Sequence, residues 1–423
     1  MKQRDLIMDV TCLIPVYNKK IPIMKICSDV FLTQDRMNAF DEHVIGFFDV
    51  VSQHILKSPN VRMYPELISL AYWLRKGNII KIISDFQKTI DDNKEVVVPR
   101  GIALHIAPSN VESIFLYSWA LSLLAGNINI VRVSQSQSEQ TNLLFDTIRE
   151  CVQFKGYKEI GRKNIILTYQ HNEELNAFLS ARSDVRVLWG GDETISAIRS
   201  LSAKPTTKDI SFADKYSYCI IKASEYLKLD VEKSAEIGRL FVNDAYWFDQ
   251  MACSSPRIVY FVGSSSECLE ARQNFWRTVA EGLHMRQMSD TMSVAMNKLI
   301  FLYEAVIEDV SLLGNTTFEY DKPAVVRIAD IDRDRLPSAH CGGGFFWECF
   351  IEKLFDLSSA IHRKDQTLTY FGFEKSELKE FVLSVRGKGI DRVVPIGQAM
   401  DFSPIWDGYV LLNELTKRVS LLL

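Results

Sequence analysis

Short apolar runs alternate with amphipathic stretches along the middle of the chain. GIALHIA (101–107) is a run of β type. Pro108-Ser109-Asn110 breaks it with turn and capping residues, and an apolar segment then continues to Ala125, which predicts a buried helix. Gly126-Asn127 closes that helix, because glycine accepts the left-handed conformation of a helix end. INIVRV (128–133) predicts the next strand, and SQSQSEQTN caps a helix reaching about Val152. NIILT (164–168) and VRVLW (185–189) predict two more strands around a helical NEELNAFLS (172–180). Gly190-Gly191 ends the last of these before DETISAIRSL. This alternation predicts a parallel sheet wrapped by helices. Ligands of such sheets bind at the carboxyl ends of strands, so 107–110, 134–135 and 189–193 are candidate binding segments. No GxGxxG follows any strand, so the usual dinucleotide fingerprint is absent.

The flanking regions predict a domain plan. Phe40, Val44, Phe47, Phe48, Val51, Ile55 and Leu56 mark an amphipathic helix, and LISLAYWLRK (67–76) a second one, within a helical region over 1–95. The sheet occupies 96–230. The pattern restarts at about residue 231: VEKSAEIGRLFVNDAYWFDQMA is helical, RIVYFVG (257–263) is a strand, and a helix capped by Ser266 follows, giving a second α/β domain over 231–385. The Gly-, Pro- and aromatic-rich segment 386–423 reads as a folded-back arm and candidate oligomerisation segment. Cys253 lies between the helical stretch and the strand, ahead of Ser254-Ser255-Pro256.

Composition narrows the function classes. The chain has 423 residues, 47% hydrophobic and 24% charged, enough for two domains with their own cores. A net charge of -4 gives no basic bias toward nucleic acid. The N-terminal sequence shows no export signal, and IFLYSWALSLLAG (114–126) is too short to span a bilayer, so a cytoplasmic protein is expected. Eight cysteines without CxxC do not form a disulfide framework in so long a chain. His340, Cys341 and Cys349 lack zinc-ligand spacing, and no metal site is expected. The dense aromatics, among them Trp119, Tyr246, Trp276 and Trp347, read mostly as core.

The stretches HIAPSNVES, LLAGNINIVRVS, LWGGDETISAIR, DQMACSSPRIVYFVG and DRVVPIGQAMDFSPIWDGY occur in this order. From about residue 95 onward they resemble the acyl-CoA reductase family, typified by the fatty acid reductase subunit of bioluminescent bacteria. That family is similar to the aldehyde dehydrogenase superfamily. The resemblance implies an α/β, aldehyde dehydrogenase-like fold, with a Rossmann-like cofactor domain, a thiol-bearing catalytic domain and a C-terminal arm. It implies Cys253 as nucleophile and Asn110 as an oxyanion-stabilising amide. It places Ser109, Arg132, Ser134, Gly190 and Gly191 against the cofactor, with NADPH expected.

Read by themselves, these residues keep structural alternatives. Asn110 also suits a helix cap, Arg132 a solvated strand end, and the two glycines a strand end. Asp192 and Glu193 make the following helix start a poor phosphate site. The superfamily's hydrolytic members carry Glu-Leu-Gly-Gly-Lys where this chain has Ser211-Phe212-Ala213-Asp214-Lys215. Without a carboxylate at the first position, the resemblance favours passing a thioester to hydride rather than to water. His284 and Lys215 are candidates for activating the thiol. The expected activity is NADPH-dependent reduction of an acyl-CoA, or of an acyl group delivered by an activating partner, to an aldehyde. Expected partners are an acyl-loaded protein, an acyl-activating synthetase subunit and further copies of the chain. The alternatives are oxidation of aldehydes and a subunit that carries acyl groups or binds an acyl-activating partner without redox chemistry of its own.

Overall fold

The computed structural model of the protein describes residues 9–16, 18–26, 37–108, 111, 113–286, 288, 290–317, 323–328 and 340–422. They form two units, residues 1–214 with 402–423, and residues 215–401.

The first unit holds strands β1 (Asp9–Ile14), β2 (Lys19–Pro22), β3 (Glu95–Pro99), β4 (Ile102–Ile106), β5 (Ile128–Arg132), β6 (Asn164–Thr168), β7 (Val185–Trp189) and β8 (Lys208–Phe212). Its main sheet runs β2-β1-β6-β5-β4-β7-β8. Strands β4 to β8 are parallel. Every residue of β4, β6 and β7 is buried, as apolar runs must be when helices cover both faces of a sheet. The chain winds outward from β4 to β6, then returns to place β7 on the other side of β4. That reversal makes a topological switch point at the carboxyl ends of β4 and β7, the place where sheets of this kind bind ligands.

Helix Ile114–Leu124 is buried along its whole length. Each fully buried Leu or Phe contributes about 1.5–3 kcal/mol of hydrophobic stabilisation. The helix ends as its sequence predicts. Gly126 adopts φ +83, its N–H donates to Leu123 O (2.9 Å), and Asn127 N–H donates to Ser122 O (3.1 Å). The Asn127 side chain accepts from Gly101 N–H (3.0 Å) and donates to Leu415 O (2.9 Å), so the family-like Ala125-Gly126-Asn127 joins three segments of this unit. Among the described residues no helix is long and apolar enough to cross a membrane.

The region expected to be helical over 1–95 contributes helices Glu42–Lys57, Pro65–Trp73 and Lys76–Gln87, but also two strands. β1 pairs antiparallel with β6 and β2 with β1, which widens the main sheet. The C-terminal segment divides. Residues 402–423 return to the first unit, where Trp406, Leu411, Leu412 and Leu415 share a core with Phe47 and Tyr117. A last strand, Thr416–Ser420, pairs antiparallel with β3 along its whole length.

The second unit begins at residue 215, earlier than the boundary near 230 that the sequence pattern predicts. The reason is β9 (Tyr216–Lys222), which belongs to the second sheet. That sheet adds β10 (Pro256–Val262), β11 (Thr316–Thr317), β12 (Ala324–Arg327), β13 (Phe345–Ile351), β14 (Asp365–Phe371) and β15 (Arg392–Pro395). The order is β11-β12-β13-β10-β9-β14-β15, parallel except for β11. Helices Val231–Tyr246 and Ser265–Met285 meet through Phe241, Phe275 and Trp276, with ring centroids 5.0–5.8 Å apart. The second of these helices is capped by Ser264 rather than Ser266. Ser264 and Glu267 cap each other's backbone reciprocally, a pairing that requires the three-residue spacing. Trp276, Phe345, Phe346 and Trp347 are core residues, as are Trp119 and Tyr246.

Candidate active site

The helix expected to run through Ala252 ends at Tyr246. The chain leaves it through Asp249 and Gln250, both left-handed (φ 48 and 63). Cys253 therefore stands on a turn at the amino edge of the second sheet, just before β10.

That turn is held from several sides. Gln250 is fully buried; its amide donates to Pro256 O (2.9 Å) and Phe345 O (2.8 Å) and accepts from Gly344 N–H (3.0 Å). It clamps the turn to the entries of β10 and β13. Gly342, Gly343 and Gly344 are all left-handed (φ +69, +64 and +80) and pack directly beneath. A Cβ at Gly342 would lie 2.6 Å from Asp249 O, and one at Gly344 only 2.1 Å from Tyr246 Oη. His340 supports the loop, accepting from Gly342 N–H at Nδ1 (3.0 Å) and meeting Phe345 O at Nε2 (3.1 Å). Burial, with Arg257 nearby, pushes its pKa down to about 3, so the ring stays neutral and can accept.

Asp244 ties in the stretch DRVVPIGQAM. Its buried carboxylate accepts from Gly397 N–H (2.6 Å) and Ala399 N–H (2.9 Å), and its backbone carbonyl accepts from Ser255 Oγ (3.0 Å). Burial pushes this carboxyl up to about 7 despite the two N–H donors. Arg392 closes the loop with bonds to Gln398 O (2.7 Å), Ala399 O (2.9 Å) and Asp401 O (2.9 Å). Ser254 Oγ approaches Met400 Sδ (3.5 Å). Two of the family-like stretches, 249–263 and 391–401, thus meet beside the thiol.

Cys253 itself is half-buried. Its carbonyl accepts from Ser217 Oγ (2.6 Å) and its sulfur from Gln366 Nε2 (3.3 Å). Of the two candidates for activating the thiol, Lys215 is engaged with Asp391 (2.8 Å) and His284 is exposed in the last turn of helix Ser265–Met285.

The first unit carries the remaining candidates. Ser109 and Asn110 lie outside the described residues. Arg132 ends β5, half-buried, its guanidinium 5.6 Å from the Tyr169 ring centroid. Among the described residues it pairs with no carboxylate. Ser134 follows, also half-buried. Arg132 and Leu188 share Ile106 as their register partner, so β5 and β7 are two strand spacings apart, about 10 Å. Arg132, Ser134, Gly190 and Gly191 therefore lie on the carboxyl edge of one sheet, on either side of its switch point. Helix Asp192–Ser200 has a carboxylate-rich start. Asp192 and Glu193 stand in its first turn, and Asp214 accepts from Asp192 N–H (3.3 Å). These charges oppose a phosphate there. Of the groups at this edge, the Arg132 guanidinium suits an anion and the start of this helix does not. Among the described residues no group of three or more His, Cys, Asp or Glu could hold a metal.

Sequence reasoning passed over Gln366, Ser217, Gln250, Asp244 and the glycine triplet. The triplet was the visible signal, since three consecutive glycines ahead of FFWECF require a special backbone. Gln366 carries no comparable mark.

The acyl-CoA reductase (LuxC) family model matches residues 79–418. The chain belongs to this family. A long-chain acyl-protein thioester reductase of Aliivibrio fischeri is 27% identical over 169 residues, 40% of this chain and 33% of the relative. That of Photorhabdus luminescens is 26% identical over 172 residues, with the same coverage. The chain thus spans about a third of the length of the curated relatives it matches. Among solved structures, PnpE in complex with nicotinamide adenine dinucleotide has a TM-score of 0.67 at 11% identity, covering 98% of this chain and 94% of that one. Aldehyde dehydrogenase 21 from Physcomitrella patens has 0.62 at 12%, covering 100% and 95%. The fold of this acyl-CoA reductase family member is that of the aldehyde dehydrogenases.

Proposed function

We propose that the chain reduces an acyl thioester to an aldehyde, with Cys253 carrying the acyl group and NADPH supplying hydride. The observation that carries this reading is the presentation of Cys253: a half-buried thiol on a turn fixed by Gln250, Ser217 and the glycine triplet, in a family of acyl-CoA reductases. The sulfur attacks the thioester carbonyl, the bond to the departing thiol breaks, and the acyl group becomes a Cys253 thioester. A bound nicotinamide cofactor would supply the hydride that this carbonyl accepts. Expulsion of the Cys253 sulfur then frees the aldehyde. Asn110 is the proposed side-chain donor to the oxyanion, a role whose loss typically costs about 3 kcal/mol. Ser211, standing where a hydrolytic relative has a carboxylate, supports transfer to hydride over transfer to water.

The acyl donor is proposed to be an acyl-CoA or an acyl-loaded protein, the latter because the relatives are named acyl-protein thioester reductases. An acyl-activating synthetase subunit, a homo-oligomer and a cytoplasmic setting belong to the same proposal. The test is NADPH absorbance with a series of acyl-CoA chain lengths, with aldehyde trapped as a hydrazone. Stoichiometric NADPH loss and aldehyde are expected. Acyl transfer to the protein without NADPH loss would leave the carrier reading in its place.

Cofactor choice has its own test. The Arg132 guanidinium is proposed to hold the 2′-phosphate, in company with Ser109 and Ser134, while Gly190 and Gly191 let the cofactor approach closely. Arg132→Ala should raise KM for NADPH about tenfold or more, consistent with loss of a charge-assisted bond, and leave KM for NADH within about twofold. Equal changes for both would make Arg132 a structural residue of the sheet edge.

A further inference from the structure

We propose that Gln366 is a catalytic residue, the hydrogen-bond donor that stabilises the Cys253 thiolate. The inference rests on the reading of Cys253 as the nucleophile. It starts from an irregularity in the sheet. Asp365 pairs with Tyr216 and Leu368 with Tyr218, so Gln366 and Thr367 together face the single residue Ser217. On the other side of β9, Pro256 pairs with Ser217 and Ile258 with Tyr218, which leaves Arg257 as the extra residue of β10. Both neighbours of β9 are therefore bulged at the level of Ser217.

A bulge re-aims a side chain that regular pleating would send elsewhere. Here it aims the Gln366 amide at the thiol, with Nε2 3.3 Å from Cys253 Sγ. Gln366 is 2% exposed, so the contact is shielded from water on the amide side. Both of its oxygens are engaged: Thr367 Oγ1 donates to Gln366 Oε1 (3.3 Å), and Asp391 N–H donates to Gln366 O (2.9 Å). The same bulge positions Thr367 N–H on Ser217 Oγ (3.1 Å), and that hydroxyl donates to Cys253 O (2.6 Å). One bulge thus holds the nucleophile at both its backbone and its sulfur.

A neutral amide N–H that faces sulfur favours the charged form, because a thiolate is a far stronger acceptor than a thiol or a thioester sulfur. The bond strengthens at two moments. Before acylation it raises the thiolate fraction. In the collapse that releases aldehyde, the oxyanion electrons form the C=O bond, the carbon–sulfur bond breaks, and the leaving pair resides on Sγ, where the Gln366 N–H receives it.

The experiment is the pH dependence of iodoacetamide alkylation at Cys253, read by peptide mass on the full chain, with no cofactor or acyl donor. Loss of a bond to a charged acceptor corresponds to about one pH unit or more, so Gln366→Leu should move the alkylation profile upward by that amount and slow alkylation at pH 7 about tenfold. Gln366→Glu should move it further in the same direction, by repulsion between like charges. Gln366→Met provides a second apolar replacement should the leucine variant not fold. A Gln366→Leu or Gln366→Met profile that superimposes on that of the unmodified chain overturns the proposal. Failure of the nucleophile reading is a separate result, namely acyl labelling that survives Cys253→Ala.

Discussion

Cys253→Ala is expected to give a folded chain that forms no acyl adduct and consumes no NADPH with any acyl-CoA. The substitution removes one half-buried sulfur and leaves the turn's clamps intact. Gln250, Ser255 and the Asp244 carboxylate bind backbone and loop groups rather than the thiol. The loss should therefore be chemical, with a melting midpoint within a few degrees of the unmodified chain. Four of the other described cysteines are poor substitutes. Burial pushes Cys268 up to about 11, Cys341 and Cys151 to about 12, and Cys219 further still. Those thiols stay protonated at neutral pH, and the protonated thiol is the unreactive form. Intact mass after incubation with acyl-CoA alone, followed by peptide mapping, reads the outcome. One acyl mass on Cys253 in the unmodified chain and none in the variant is the expected pair. A label that maps to Cys219 or Cys268 would assign the nucleophile elsewhere.

Gly344→Ala should do comparable damage by a structural route. A methyl group there would meet the ring of the buried Tyr246, with Oη at 2.1 Å, on a backbone held at φ +80. The left-handed backbone costs a non-glycine residue about 1–2 kcal/mol. Forcing a methyl into a filled core adds about 1–3 kcal/mol. Because Gly344 N–H also donates to Gln250, relief of the clash would pull on the clamp beneath Cys253. A lower melting midpoint should thus come with slower alkylation of Cys253. Gly77→Ala is the control, since Gly77 is in helix Lys76–Gln87 with open space around it. That change should be neutral or slightly stabilising. A Gly344→Ala melting curve equal to that of the control would show that the triplet yields freely and braces nothing.

The contrast between what the chain spells and what it builds follows from the range of the forces involved. The buried runs GIALH, INIVR, NIILT and VRVLW and the Gly126 helix end are local signals, and the structure places each as a strand or a cap where its pattern predicts. β1 was hidden because its partner in the main sheet, β6, lies more than a hundred residues away, and β2 because it is the edge strand that pairs with β1. β9 was hidden beside a stronger helical pattern, which moved the unit boundary. At the thiol, Cys253 stood out by its setting and its family-like surroundings. Gln366 did not, since a glutamine within DQTLTYF becomes informative only when a bulge turns it toward sulfur. Asp244 looked like any polar position on an amphipathic helix until the 397–399 backbone closed over it.

The return of residues 402–423 to the first unit sets an order of events during synthesis. The ribosome makes Asp214 and then all of 215–401 before it reaches Phe402. At about 5–20 residues per second, that interval lasts roughly 10–40 s. Throughout it, the core around Phe47 and Tyr117 lacks Trp406, Leu411, Leu412 and Leu415, and β3 has no strand beside it. The second unit is one continuous stretch and can finish while the first is still waiting. The earliest part of the chain is thus among the last to be sealed, and in that interval an open strand edge is offered to whatever meets the nascent chain, chaperones included.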